Sequence, residues 1–245
     1  VDSGHHRVVA FNESGEVVRR FGERGSGEGQ MQGPLGMGVG PDGTVYVADA
    51  GNRRIQAFSA EGEYLAALAM RDAEGRFRPA DVAVGSGGTL FVTATDRHNV
   101  TKWGADGTLL HSWGGEGVSE GQFRYPATIA VGHGRVYVVD VLNTRVQVFD
   151  TEGTFQHQIG EWGVRPGQMF RPKGVAIDAA GRVYVSDSYM DLVQVFSEGY
   201  EFDHVVGQGH RIRKFVAPTG LAVDSKDRLY TCEMLADRVT ALQLR

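Results

Sequence analysis

A single cysteine, Cys232, among 245 residues excludes an internal disulfide and a cysteine-based zinc site. There is no C-x-x-C-H stretch, and so no c-type haem attachment. The longest apolar runs are about five to seven residues, too short to span a bilayer, and no apolar h-region of a signal peptide opens the chain. Charge is also sparse: 25 Lys and Arg against 30 Asp and Glu give a net charge of −5, with 41% hydrophobic residues, which excludes a disordered chain. Proline is held to 7 residues. Glycine is abundant, at 35 residues, but does not fall on every third position, so collagen is excluded.

Position explains the glycine. Pro34, Pro79, Pro126, Pro172 and Pro218 stand 45, 47, 46 and 46 residues apart, and each precedes a short apolar run such as ATIAV or KGVAI. A second series follows in register (TVYVADA, TLFVTAT, RVYVVDV, RVYVSDS, RLYTCEM), then a third (RRIQAFS, NVTKWGA, RVQVFDT, LVQVFSE, RVTALQL) and a fourth (EYLAALA, TLLHSWG, TFQHQIG, EFDHVVG). Each run is rich in Val, Ile, Tyr and Phe and bounded by turn residues, so each predicts a strand. Turns such as PDG, SGG, GHG and ADG need left-handed backbone and account for most of the excess glycine. The repeat is thus four antiparallel strands, a to d. A sheet of that size cannot bury both faces alone, and stacking such sheets radially gives a β-propeller.

The position after strand b holds Asp2, Asp49, Ala94, Asp140, Asp187 and Glu233, which counts six units. They fall at about 1–32, 33–77, 78–124, 125–170, 171–216 and 217–245, within one domain spanning 1–245. The first unit lacks strands a and b, and the last lacks strand d. The expected fold is an all-β, six-bladed propeller of four-stranded antiparallel blades whose first and last blades are incomplete. Propellers close by completing one blade from both termini, so roughly 25 or more residues are expected to precede Val1, with any signal peptide among them.

The units GPLGMGVGPDGTVYVADAGNRRIQAF (33–58) and RPKGVAIDAAGRVYVSDSYMDLVQVF (171–196), with the GQ-x-x-x-P lead-in at Gly29/Gln30/Pro34, Gly121/Gln122/Pro126 and Gly167/Gln168/Pro172, resemble the NHL-repeat family over nearly the whole chain. The resemblance implies the fold and leaves several functions open. The family includes bacterial extracytoplasmic sensor and scaffold domains, RNA-binding domains and the peptide-amidating lyase, with calcium-dependent lactonases as more distant propellers. By family habit the chain is expected to be extracytoplasmic, periplasmic or secreted.

Arg follows the acid by five residues in Asp2/Arg7, Asp49/Arg54, Asp140/Arg145 and Glu233/Arg238, which predicts a structural clip across each b–c hairpin. Ala94/Asn99 and Asp187/Leu192 break the pattern, unlike a catalytic group. An enzyme of the amidating type needs His side chains converging on the central funnel. None of the eight His falls on strand a, and His111, His157 and His204 fall on the outermost strand d. The starts of strand a offer one acid, Asp81, too few for calcium. Cys232 reads as a buried apolar residue. No catalytic residue, cofactor or metal ligand is therefore assigned.

The a–b and c–d turns collect acids, while the d–a and b–c loops collect cations. The densest basic stretch is GHRIRKF (209–215). The candidate partner-binding residues are Arg165, Arg171, Lys173, His210, Arg211, Arg213 and Lys214. Phe77, Phe123, Phe170 and Phe215, two or three residues before the prolines, are expected to fill a repeated pocket. The sequence therefore favours a non-catalytic module that binds a protein. The alternatives are a metal-dependent hydrolase or lyase completed by missing N-terminal strands and, second, a single-stranded RNA binder. Nucleic acid is disfavoured as a partner, and no membrane insertion is expected.

Overall fold

Segments of Val, Ile, Tyr and Phe broken by Gly-, Asp- or Asn-bearing turns pair antiparallel with their neighbours in sequence. The computed structural model describes residues 1–208 and 211–244, except for the side chains of Gln208 and Arg211. Among these, no helix is long and apolar enough to cross a membrane. The chain divides into two units, Val1–Trp113 and Gly114–Arg245.

In the first unit a two-stranded sheet (Val8–Phe11, Val17–Phe21) precedes a four-stranded one built from Met37–Val39, Val45–Asp49, Arg54–Phe58 and Tyr64–Ala69. The next sheet, Pro79–Val84, Leu90–Ala94, Asn99–Trp103 and Leu109–Gly114, ends at the unit boundary. The second unit carries one four-stranded sheet of Pro126–Gly132, Arg135–Asp140, Arg145–Asp150 and Phe155–Ile159, and another of Pro172–Ile177, Val183–Asp187, Leu192–Phe196 and Phe202–Val205. A three-stranded sheet of Pro218–Val223, Arg228–Glu233 and Arg238–Gln243 follows. The complete sheets run a-b-c-d in chain order.

Sheets pack face to face within each unit. In the second, Val139, Val146, Val148 and Ile159 meet Val175, Val183, Val185 and Phe196. A d–a loop residue seals these interfaces in Met31, Phe77, Met169 and Phe215, and Phe123, in the same register, packs on Phe149; all five are at most 2% exposed and 46 positions apart. Burying each contributes about 1.5–3 kcal/mol. The expected set of four phenylalanines is thereby corrected. Phe170 lies one residue out of register, half-buried, and Met169 takes the core position. Cys232 also departs from expectation and is exposed. Along Arg228–Glu233 it alternates with buried Thr231 and Glu233, and therefore points to the other face of its sheet.

Innermost strands approach too closely for side chains at some positions. A Cβ on Gly174 would sit 2.1 Å from the Thr219 carbonyl oxygen, and one on Gly38 would sit 2.6 Å from that of Val82. Some of the glycine excess therefore serves inter-strand approach, in addition to turns.

The b–c hairpin clips form. Arg Nε lies 2.9 Å from Asp2, 2.8 Å from Asp49, 2.9 Å from Asp140 and 2.9 Å from Glu233 in the respective pairs with Arg7, Arg54, Arg145 and Arg238. Around buried Asp140 the network is larger. Its carboxylate also accepts from the Arg124 N–H (2.7 Å), Asn143 Nδ2 (2.8 Å) and Gln147 Nε2 (3.2 Å). Asp49 repeats this with the Gln32 N–H, Asn52 and Gln56 at 2.7, 2.8 and 3.1 Å. Gln147 Oε1 accepts the Gly121 N–H at 2.9 Å and its Nε2 donates to the Gln122 carbonyl at 2.7 Å, pinning the GQ loop. Gln56 and Gln194 hold Gly29/Gln30 and Gly167/Gln168 in the same way. The loops before the third and last sheets instead contain short hairpins, Arg71–Asp72/Gly75–Arg76 and Gly207–Gln208/Arg211–Ile212. There Thr101 and Thr240 stand at the glutamine position, since a buried amide with no loop backbone to bind would go unsatisfied.

Three outcomes follow from this packing. Gly174→Ala should lower the unfolding free energy by about 1–3 kcal/mol in urea titrations, the usual cost of overpacking. Gln147→Leu strands one buried N–H and one carbonyl, and should cost about 2–4 kcal/mol in the same measurement. Hydrogen bonds from Arg238, aided by Thr240 and the Val216 N–H and opposed by burial, bring the Glu233 carboxyl down to about 2 from an ordinary 4.5. Unfolding therefore takes up a proton at Glu233. Its contribution is intact above pH 4.5 and is lost as the pH falls toward 2. Melting temperatures scanned from pH 6 to 2 should fall less steeply in Glu233→Gln than in the parent.

Candidate interaction surface

Each b–c turn ends on a left-handed residue, His6, Arg53, His98, Thr144, Asp191 or Asp237, and all but the one after Ala94 start from a carboxylate. The turn is tight, and the residues within it project from the sheet end beside the d–a loop. In the second unit this end carries exposed apolar side chains. Val118 and Trp162 on the GQ loops are 66% and 70% exposed, and Leu142 and Leu235 on the b–c turns are 58% and 73% exposed. The first unit has polar residues in its turns, Gly51-Asn52-Arg53 and Asp96-Arg97-His98.

Hydrogen bonds decide which loop residues face out. The GQ loop at 160–171 is held by Gln194 at Gly167 and Gln168, and by Asp187, which accepts the Phe170 and Arg171 N–H groups at 2.7 and 3.0 Å. With the backbone fixed there, Met169 enters the core while Trp162 and Arg165 face solvent. Phe170 stacks on Tyr189 with centroids 4.0 Å apart and lies 6.2 Å from Trp162.

The structure distributes the sequence-chosen cations over this end. Arg165, Arg171 and Arg213 are exposed, the Arg213 guanidinium lying 6.0 Å over Phe215. Lys214 Nζ donates to the Met190 carbonyl at 2.8 Å. Lys173, on strand a, is half-buried, and burial followed by the nearby Arg171 charge pulls its pKa below the ordinary lysine range. His210 lies outside the described residues, as does the side chain of Arg211.

The opposite end carries a second clip that sequence reasoning missed. Asp178 accepts from Arg182 Nε at 2.6 Å and the Tyr184 hydroxyl at 3.0 Å, and Asp224 does so from Arg228 at 2.7 Å and Tyr230 at 3.0 Å. The signal was D-x-x-x-R-x-Y at 178–184 and 224–230. Gln56, Gln147 and Gln194 were missed as well, although they recur in phase with the GQ loops. His111, His157 and His204 are exposed on strand d. Among the described residues no group of three or more His, Cys, Asp or Glu is placed to hold a metal ion.

A family model for the NHL repeat matches residues 31–58, and a model described as a 6-bladed beta-propeller matches 118–209. No curated protein matches the sequence. Among solved structures, a catalytically inactive virginiamycin B lyase from Staphylococcus aureus with quinupristin is 13% identical, with TM-score 0.69 over 100% of this chain and 76% of that one. A nidogen/laminin complex gives 16% identity and TM-score 0.72 over 99% of this chain and 87% of the other. A protein of unknown function from Bacteroides caccae gives 14% identity and TM-score 0.68, covering 98% and 87%. At these identities the likeness shows the fold, an all-β propeller of four-stranded antiparallel blades. Its phased GQ loops and b–c clips accord with the two family matches, which together support an NHL-repeat propeller family.

Proposed function

We propose that the chain is a non-catalytic binding module, a propeller of six repeat units that engages a protein partner through the d–a/b–c end of its second unit. The carrying observation is the exposure of Val118, Leu142 and Trp162, which line one groove at that end. Leaving a large apolar side chain in water forgoes about 1.5–3 kcal/mol, and contiguous exposed apolar surface marks interaction sites. Tryptophan on such a surface is a common binding hot spot. The nidogen/laminin complex supports the reading, since a propeller fold there belongs to a protein assembly. By family habit the module works outside the cytoplasm. The lyase reading draws on the virginiamycin B lyase likeness, which at 13% identity supports the fold alone.

A photo-crosslinking residue placed at 162 in the producing cells should give a discrete protein adduct, and one placed at 152, on the opposite end, should give none. Quinupristin incubated with the purified chain should remain intact. Adducts at neither position, or turnover of quinupristin, would sink the binding-module reading.

A further inference from the structure

An open groove of about 440 Å³ lies at this end, lined among others by Val118, Leu142, Thr144, Gln158, Glu161 and Trp162. Its polar groups are largely committed to the protein itself. Asn143 donates to the Gly117 carbonyl and Asp140, and Arg145 to Asp140, Gln158 and the carbonyls of Ser119 and Gln122. Gln158 Nε2 donates to the Gly160 carbonyl, and Glu161 accepts from Gln168. The unfilled demand in the groove is therefore apolar, from Val118, Leu142 and Trp162, and the space suits one large side chain.

Beyond the Trp162 wall the surface changes character. The aromatic run Trp162–Phe170–Tyr189 is accompanied by Arg165 from the same loop, by Arg171 directly after Phe170, and by Lys173 two positions further on, at the start of strand a. None of these three cations forms an ion pair among the described residues. Of the nearby carboxylates, Asp140 and Asp187 are buried and saturated by N–H donors, and Glu161, on the Trp162 side of the groove, accepts from the neutral Gln168 amide and keeps its charge, which places the partner's acids on the Arg165/Arg171 side. Lys173, half desolvated beside Arg171, would be stabilised in its charged form by an incoming carboxylate.

Resting on the binding-module reading above, we propose that the docking element of the partner is an acidic peptide segment with one large apolar side chain. That side chain fills the Val118–Leu142–Trp162 groove, and the flanking carboxylates pair with Arg165, Arg171 and Lys173. Single-stranded nucleic acid fits less well. Val118 and Leu142 offer no stacking face, and Phe170 and Tyr189 are stacked on each other.

The test is selection of a random peptide phage library on the whole chain, followed by binding of the synthetic winners. The expected winners share one Trp, Phe or Leu flanked by Asp or Glu. Replacing that anchor by Ala, or its acids by the amides, should weaken binding at least about tenfold. Trp162→Ala should do the same. The double variant Arg165→Glu/Arg171→Glu should weaken the acidic peptide while sparing its amide version. All three altered side chains are exposed, and thermal melts of the variants check the fold. Winners without acids, no winners, acidic winners indifferent to Trp162 and Arg171, or displacement of a winner by oligouridine would each overturn the proposal. A crosslinked adduct at 162 together with a non-acidic motif would reject this partner chemistry and leave the binding-module reading standing. Absence of both would remove the two together.

Discussion

A buried carboxylate at the end of strand b must find hydrogen-bond donors, and the architecture of the sheet ends follows from how it finds them. Asp49 and Asp140 each take an N–H from the preceding d–a loop and side-chain donors from Asn, Arg and Gln of their own hairpin. Asp187, which lacks the arginine, takes four backbone N–H groups instead. In each case the carboxylate ties a loop from one repeat to a turn in the next. An unpaired charge in such a place would be very costly, so the loop has little freedom once the sheet has formed. Binding surfaces benefit from that rigidity, because little ordering entropy remains to be lost when a partner docks.

The same constraint couples positions distant in sequence. Where the d–a loop has the GQ form, a buried glutamine two positions beyond the Arg site (Leu192 in the fifth repeat) reads its backbone. Where the loop contains a short hairpin, threonine replaces the glutamine. The third repeat also lacks the Asp/Arg clip, having Ala94 and Asn99, while the last keeps a longer version in Glu233 and Arg238. The glutamine therefore follows the loop form, and the ion pair varies independently of it.

Much of this fold was legible in advance because its determinants are local. Two-residue alternation and turn chemistry located the strands, and a five-residue spacing located the Asp–Arg pairs. The misreadings have a common cause. Phe170 was grouped with Phe77, Phe123 and Phe215 by its distance from proline, but a loop pinned at Gln168 and Arg171 turns Met169 inward in its place. The chemistry of Cys232 suits an apolar core, but strand alternation places it opposite Thr231 and Glu233. Charge alone singles out Arg165, Arg171 and Lys173 as candidates, whereas the exposed apolar residues Val118 and Leu142 look in sequence like ordinary loop and turn residues.

By itself the sequence determined the repeat and the strand order within each sheet, because short-range periodicity and turn propensity encode them. Only the tertiary structure decided which apolar residues remain in water and which cations remain without an ion pair. Those properties depend on what the rest of the chain brings alongside a residue. For Trp162 and Arg171 that is decided by hydrogen bonds to Gln194 and Asp187, more than fifteen positions away.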